Sequence, residues 1–251
     1  ALFQSFFNSL FIAIVSTIIV VILAFSFAYA LTRTCIPFKG FFRLVALIPL
    51  LSPSILAAIA LVYWFGNKGL LKALLFGSSI YGPIGIIFAS VYWTFPHALM
   101  ILSTSLSLSD SRLYEAAEVL KTSRLRAFLT ITIPGARYGI ISTSFVIFTQ
   151  VFTDFGVPKV IGGNYNMLAT DIYKEVVGMQ NFQMGAVISL VLLLPSLIAF
   201  FIDQYSRKKQ ISLLTSRSVV FKPKKSFGVD NLMLGYCTFI TLIILMMIGM
   251  A

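Results

Sequence analysis

The sequence predicts an all-α, polytopic membrane helix bundle, and three observations support that fold class. Of the 251 residues, 59% are hydrophobic and only 11% are charged, and the mean hydropathy is +0.96. A soluble domain carries about 25% charged residues, so this composition excludes an ordinary soluble enzyme and an intrinsically disordered chain. The third observation is that the apolar residues are collected in long runs.

Five complete runs with at most one charged residue each are long enough to span a bilayer as helices. A hydrocarbon core of about 30 Å requires roughly 20 apolar residues in a helix. The runs are Phe6–Leu31, Leu44–Phe65, Ile84–Leu108, Tyr138–Val157 and Met184–Ile202. Helices satisfy their own backbone hydrogen bonds in lipid. We expect kinks or unwound turns at Pro53, Pro96 and Pro195.

A sixth apolar run occupies residues 231–251 and follows a basic, polar stretch at residues 206–230. We interpret residues 1–205 as one membrane domain, residues 206–230 as a cytoplasmic linker and residues 231–251 as the start of a further spanning helix. The chain begins at Ala1, and the last run stops where the chain stops. We therefore expect the chain to be a piece of a longer polypeptide.

The basic residues predict how the chain is oriented in the membrane. The first, third and fifth connections between the runs hold three, five and seven Lys or Arg residues, whereas the second and fourth hold two each. The positive-inside rule places the three basic connections in the cytoplasm, which puts the amino end outside. The net charge of +11 is therefore a topology signal, and no nucleic-acid-binding motif accompanies it.

The third connection, residues 109–137, predicts two short helices joined by a turn. Residues 109–111 supply candidate N-caps for the first helix, Ser123 is a candidate N-cap for the second, and Pro134 is expected to end the second. The apolar residues at helical spacing are Leu113, Ala116, Ala117 and Leu120 in the first helix and Leu125, Phe128 and Leu129 in the second. Periodicity alone favours an elbow that rests on the lipid headgroups.

The same connection resembles the EAA loop of ABC-importer permeases, whose pattern is E-A-A, three residues, Gly, nine residues and I-x-L-P. The residues identified with this loop are Glu115, Ala116, Ala117, Leu120, Lys121, Ile131 and Pro134. The spacing matches throughout, and Ile133 takes the place of the usual Leu. The departure is Lys121 at the position of the usual Gly. If that position has a positive φ, Lys121 is strained by roughly 1 kcal/mol or more.

The resemblance implies a type I ABC-importer transmembrane domain, like those of methionine and maltose importers, in the bacterial inner membrane. It implies that residues 109–137 dock on a cytoplasmic ABC ATPase dimer. This chain has no G-x-x-x-x-G-K-[ST] motif, so ATP and Mg belong to that other polypeptide. The resemblance also implies a periplasmic or extracellular solute-binding protein and a second permease half, fused or separate. It implies no catalytic residue, cofactor or metal in this chain.

The fourth run carries a polar face that is a candidate translocation path. Its residues are Ser142, Thr149, Gln150, Thr153 and Asp154, which lie roughly along one side of a helix. Polar groups are unfavourable in hydrocarbon, so this side is expected to face a wet cavity or the bundle interior. Hydrogen bonds between helices are the alternative role for these residues, and the pattern does not decide between the two.

The external connection after the fourth run predicts a turn at Gly162 and Gly163 and a short amphipathic helix over Thr170–Val177 that Gly178 ends. Residues 153–178 resemble permeases for 2-aminoethylphosphonate, within a fused two-half group that also serves ferric iron and thiamine. The resemblance predicts 2-aminoethylphosphonate as the solute, ahead of ferric iron or thiamine.

Two other functional classes are open to a chain of this kind. An ion-coupled secondary transporter needs ionisable groups or broken-helix ion sites near the middle of the membrane, and these runs are almost bare of charge. A membrane-embedded enzyme needs a convergent set of nucleophile, base or metal ligands, which the sequence does not offer. His97 is the single histidine, so a packing role is favoured over a ligand role.

Overall fold

The computed structural model describes residues 2–75, 79–108, 111–212, 223 and 225–250, and the regular elements within these ranges are all helical. The α-helices are α1 (Leu2–Arg33), α2 (Lys39–Leu47), α3 (Ser54–Phe65), α4 (Pro83–Ser107), α5 (Arg112–Val119), α6 (Arg124–Ala127), α7 (Ile133–Thr153), α8 (Gly156–Ile161), α9 (Leu168–Tyr173), α10 (Phe182–Ser212) and α11 (Phe227–Ile248). Short 3-10 turns occupy Ile48–Leu51 and Lys72–Leu75, and π turns occupy Phe128–Thr132 and Lys174–Gly178. The predicted all-α class is confirmed.

Five helical segments in the described residues are long and apolar enough to cross a bilayer. They are Leu2–Arg33, Pro83–Ser107, Arg124–Thr153, Phe182–Ser206 and Phe227–Ile248. Two of them contain the predicted first and fifth runs, and two others contain all of the third run except Leu108 and the fourth run up to Thr153. The fifth contains most of the sixth run, and its 22 residues have the length of a whole span rather than only the start of one.

The second predicted run is not one continuous helix. Segments Lys39–Leu51 and Ser54–Phe65 meet at an angle of 104°. Ser52, at the junction, has an extended backbone with φ −104° and ψ 138°, because the ring of Pro53 disfavours the α conformation in the residue before it. Pro96 and Pro195 instead lie inside helices that continue on both sides. Of the three prolines at which a kink or an unwound turn was expected, Pro53 is the one with an unwound turn.

Small side chains allow α1, α4 and α7 to pack closely around one core. The buried face of α1 includes Ser5, Ser9, Ala13, Ser16, Ala24 and Ala28. A Cβ atom added at Gly139 of α7 would overlap the side chain of Ser105 on α4, so the two backbones can approach only at a glycine. Phe27 of α1 meets Phe95 of α4 edge to face, with ring centres 5.6 Å apart. Close van der Waals contact of this kind holds helices together in lipid.

The outward faces of the long helices are apolar. Phe7, Phe11, Ile14, Ile18 and Ile22 form an exposed stripe along α1, and α10 exposes Leu190, Leu194, Ile198 and Phe201. Apolar surface on this scale is unsuited to water and is what a bilayer or a further membrane segment covers.

Candidate functional site

The third connection folds as two helices joined by a turn, as predicted, and we call residues 111–132 the elbow. Ser123 caps the second helix, since its hydroxyl accepts from the backbone N–H of Arg126 at 3.4 Å. Ser111 stands at the start of α5, but its hydroxyl donates to Glu115 Oε1 at 3.3 Å and makes no backbone cap. The candidate caps at residues 109 and 110 lie outside the described residues.

The second helix of the elbow runs into the spanning helix without a break. The prediction that Pro134 ends this helix is wrong, because α6 continues through the π turn Phe128–Thr132 into α7. In that turn the N–H of Ile133 donates to the carbonyl of Phe128, five residues earlier. The wider π turn makes room for the proline ring, which in a regular α-helix clashes with the carbonyl four residues before it.

The turn of the elbow has the backbone geometry that the EAA pattern reserves for glycine. Lys121 has a φ of +51°, so the condition under which its side chain is strained is met at this position. Its N–H donates to the carbonyl of Glu118, and the N–H of Thr122 donates to the carbonyl of Ala117, each at 2.9 Å. These two hydrogen bonds define a Schellman ending of α5, whose left-handed residue is usually Gly because an L side chain is strained there.

The elbow exposes an apolar surface to the side away from the bundle. Val119 is 83% exposed, Leu120 77% and Leu125 71%. Within α5 the buried side chain is that of Ala117, whereas Glu115 and Ala116 are exposed. In the second half of the loop, Ile131 is half-buried and Pro134 is exposed. The predicted apolar faces of the elbow are therefore mainly exposed.

Aromatic and polar contacts hold the inner side of the elbow to the bundle. The hydroxyls of Tyr114 and Thr132 are hydrogen-bonded at 2.9 Å. The ring of Phe128 lies against that of Tyr29, with centroids 5.5 Å apart, and the guanidinium of Arg33 lies over the ring of Tyr114. The sequence interpretation missed the roles of Arg33 and Tyr114. The sequence offers one signal for the role of Arg33, which is that Arg33 is the first charged residue of the chain and follows a long apolar run.

A cavity of about 600 Å³ lies between the elbow, the end of α1 and the start of α11. Its charged lining residues are Arg33, Glu115, Glu118, Arg124 and Asp230. Arg124 donates to the hydroxyl of Ser226, and Asp230 accepts from the backbone N–H of Cys35 at 3.0 Å. The start of α11 is therefore tied both to the elbow and to the connection after α1.

Four of the five predicted polar residues lie on α7 and Asp154 directly follows it, but the structure does not gather the five into one site. Thr149 and Thr153 donate to backbone carbonyls one turn earlier in their own helix. Ser142 donates to the buried carboxylate of Asp203 on α10. Asp154 lies about 18 Å further along the helix. Gln150 differs from the others, because its Oε1 is buried and has no hydrogen-bond partner among the described residues.

Asp154 directly follows α7 and joins the end of that helix to α3 and α8 by hydrogen bonds. Its Oδ1 accepts from the hydroxyl of Ser54, at the start of α3, at 2.7 Å, and its Oδ2 accepts from the N–H of Val157 in α8 at 3.0 Å. Both carboxylate oxygens are therefore engaged within the protein. This geometry favours the packing role for Asp154 that the sequence left open.

The remaining candidate residues form no further site in the described part of the chain. The ring of His97 lies edge to face with that of Trp93, 6.0 Å between centroids, on the same helix. No group of three or more His, Cys, Asp or Glu side chains within the described ranges is placed to hold a metal ion. In the external connection, Gly163 makes the predicted turn with a φ of +58°, and the short helix spans α9 and the π turn that ends at Gly178.

Residues 36–212 match the protein family described as "Binding-protein-dependent transport system inner membrane component". The ferric transport system permease protein FbpB of Actinobacillus pleuropneumoniae is 28% identical over 90% of this chain and 33% of that protein. FbpB 1 of Haemophilus influenzae is 30% identical over 80% of this chain and 32% of its own length. The spermidine/putrescine permease PotB of Escherichia coli is 25% identical over 76% of this chain and 72% of its own length. The chain thus spans about a third of the length of the two ferric permeases.

Replacement of Lys121 by Gly is expected to stabilise the turn of the elbow by about 1 kcal/mol, because Gly has no Cβ to strain at positive φ. Hydrogen exchange of residues 112–122 in the purified protein measures this, and amide protection should rise about fivefold. Val119→Gly is the matched control. It places Gly at an ordinary helical position, where protection should fall by a similar factor. If the Lys121→Gly variant exchanges as fast as Val119→Gly, Lys121 is not strained at its positive φ and the prediction is wrong.

Proposed function

Because the chain belongs to the family of binding-protein-dependent transport system inner membrane components, we propose that it forms one half of the solute path of an ATP-driven importer. The observation that carries this proposal is the elbow, with its EAA spacing, its Schellman turn and its exposed apolar surface. Five apolar helices of spanning length agree with a multi-pass location in the inner membrane. The family and the helices together favour transport over catalysis.

In this proposal the elbow is the docking point for a separate ABC ATPase dimer. Leu120 and Val119 supply exposed apolar contact area, and Glu115 supplies a charge beside it. Movement of the docked surface then tilts α7, since α6 and α7 are one continuous helix. The two states of the transporter are inward-facing and outward-facing packings of the bundle, which nucleotide and the loaded solute-binding protein bias in turn.

The proposed orientation has the elbow in the cytoplasm and the amino end outside. Arg33, Arg124 and the start of α11 surround one cavity, so the end of the first run, the third connection and the end of the fifth connection lie on one side. These are the three connections that are rich in Lys and Arg. A single membrane side that collects the basic residues is the cytoplasmic side.

We propose ferric iron as the solute, ahead of 2-aminoethylphosphonate. Two relatives named for ferric transport match 90% and 80% of the chain at 28% and 30% identity, whereas two relatives named for spermidine/putrescine transport match 84% and 76% at 26% and 25% identity. PotB relatives make a polyamine the second choice. The phosphonate prediction rested on residues 153–178 alone and receives no support from these relatives. The ion-coupled carrier is not proposed, because the family is that of binding-protein-dependent systems.

Reconstituted uptake tests the proposed function directly. The full-length polypeptide, its ATPase and its solute-binding protein are placed in liposomes, and accumulation of labelled ferric iron is compared with that of spermidine, molybdate and 2-aminoethylphosphonate. We expect iron uptake that requires ATP and survives collapse of the proton gradient. Uptake that a proton gradient drives without ATP would overturn the proposal, and ATP-driven uptake of another solute would overturn its iron assignment.

The same assay separates the docking role of the elbow from general effects of substitution. Leu120→Ser removes an exposed apolar contact and is expected to reduce both ATPase co-purification and uptake roughly tenfold. Leu70→Ser makes the same chemical change at a residue that is 69% exposed in the connection after α3. This control should behave as the unaltered protein. Equal effects of the two substitutions would show that the elbow is not the docking surface.

We further propose that the polar face of α7 lines the solute path, with Gln150 as its central residue. A buried carboxamide oxygen without a protein partner is unfavourable unless water or solute reaches it. Thr149 and Thr153 flank Gln150 on the same helix. Ser142, further along α7, donates a hydrogen bond to Asp203 on α10. Asp154 is the residue of this set with the strongest packing role.

Gln150→Met preserves side-chain length but removes the carboxamide, and it is expected to lower the rate of uptake about fivefold with normal ATPase binding. Thr143→Val is the control, because Thr143 is buried on the same helix and its hydroxyl bonds the carbonyl of Gly139. Asp154→Asn should retain transport kinetics, since the amide oxygen still accepts from Ser54 and the change loses only the hydrogen bond from the N–H of Val157. Unchanged uptake by Gln150→Met would remove this residue from the path, and impaired uptake by Asp154→Asn would return Asp154 to it.

A further inference from the structure

A single buried arginine connects the elbow to two spanning helices. Arg33, the last residue of α1, is 7% exposed. Its Nη2 donates to the carbonyl oxygen of Leu106 in the last turn of α4 at 2.6 Å. Its guanidinium carbon lies 4.8 Å from the centre of the Tyr114 ring on α5. One side chain therefore contacts the end of a neighbouring spanning helix and the first helix of the elbow.

The contact continues from Tyr114 into the helix that re-enters the membrane. The hydroxyl of Tyr114 is hydrogen-bonded to that of Thr132 at 2.9 Å. Thr132 is 2% exposed and is the last residue of the π turn, directly before α7. Arg33, Tyr114 and Thr132 thus form a chain of contacts from α1 and α4 through the elbow to α7.

Burial of side chains contributes little to the orientation of α5. Among its eight residues the buried side chain is Ala117, too small to fix an angle by packing. A cavity of about 600 Å³ lies along the flank of α5 that carries Tyr114 and Ala117. A tyrosine held by a hydrogen bond at its hydroxyl and by a cation over its ring face is constrained in two directions.

The chemistry of the contact calls for arginine specifically. A guanidinium lies flat on an aromatic ring and still directs an N–H at a carbonyl in its own plane, which the point charge of a lysine does less well. The carbonyl of Leu106 belongs to the last turn of α4 and accepts from Arg33 Nη2. Arg33 thus bonds an acceptor at a helix end with the same group that stacks on Tyr114.

We propose that Arg33 is a positioning residue for energy coupling, which through Tyr114 and Thr132 holds the elbow at a fixed angle to α1, α4 and α7. This inference rests on the proposed importer function. When the ATPase moves the elbow, the three spanning helices move with it, because one set of contacts joins them. Without Arg33 the elbow still binds the ATPase through its outer apolar surface, but α5 swivels and less of the movement reaches the membrane.

The test compares variants of the full-length polypeptide assembled with its ATPase in nanodiscs. Arg33→Gln removes the charge, and Arg33→Lys keeps it. Arg43→Gln is the matched control, since Arg43 is exposed on α2 in the same basic connection. The two measurements are hydrogen exchange of residues 112–122 and the stimulation of ATP hydrolysis by loaded solute-binding protein.

Arg33→Gln is expected to raise exchange roughly tenfold and to reduce the stimulation about fivefold, with basal hydrolysis and ATPase binding unchanged. Arg33→Lys should recover part of both effects, and Arg43→Gln should show neither. Normal exchange and normal stimulation in Arg33→Gln would overturn the proposal. So would equal losses in Arg33→Gln and Arg43→Gln.

A second pair of variants keeps the proposal testable if Arg33→Gln does not fold. Tyr114→Phe and Thr132→Val each remove the shared hydrogen bond and leave the charge and the ring in place. Each should weaken stimulation, and the double variant should lose no more than either single variant, because both changes break one contact. Additive losses, or none, would overturn the proposal. Failure of the unaltered importer to take up any solute with ATP would instead refute the proposed function.

Discussion

The structure depends on one constraint, which is that the backbone between Arg124 and Thr153 stays hydrogen-bonded through a proline. A gap in this ladder at the membrane surface would separate the elbow from the spanning helix. The π turn at Phe128–Thr132 prevents the gap, since Ile133 reaches back five residues to Phe128 and leaves room for Pro134. The second helix of the elbow and α7 are consequently one continuous helix, and whatever moves that part of the elbow moves a membrane helix.

The two sides of the elbow have opposite chemistry, which suits a part that transmits movement. The outer side offers exposed apolar residues such as Leu120 and few contacts to its own chain. The inner side is held by directional contacts, the Tyr114–Thr132 hydrogen bond and the Arg33–Tyr114 stacking among them. Packing alone would leave an eight-residue helix with one buried alanine free to rotate. The polar inner contacts supply the missing constraint.

Features set by local physics could be predicted from the sequence, and features set by distant partners could not. Hydropathy located the spans, and the preference of the residue before Pro53 accounts for the break there. The spacing of the EAA pattern identified Lys121 with the position that usually holds Gly, and the structure has a positive φ there. Pro134 was misread because a proline ends a helix in isolation, whereas here a π turn absorbs it. The contact of Arg33 with Tyr114 joins residues 81 positions apart, and no local pattern encodes such a pairing.

The distance between two spin labels tests most directly whether Arg124–Thr153 stays one continuous helix. Spin labels at the exposed positions Arg126 and Ile141, with the native cysteines replaced, lie about 22 Å apart along a straight helix. Double electron–electron resonance on the assembled importer should give one narrow distance near this value, the same without nucleotide and with ATP trapped. Two populations, or a change of about one helical turn (5.4 Å) between the states, would mean that the proline is a hinge and would contradict the account.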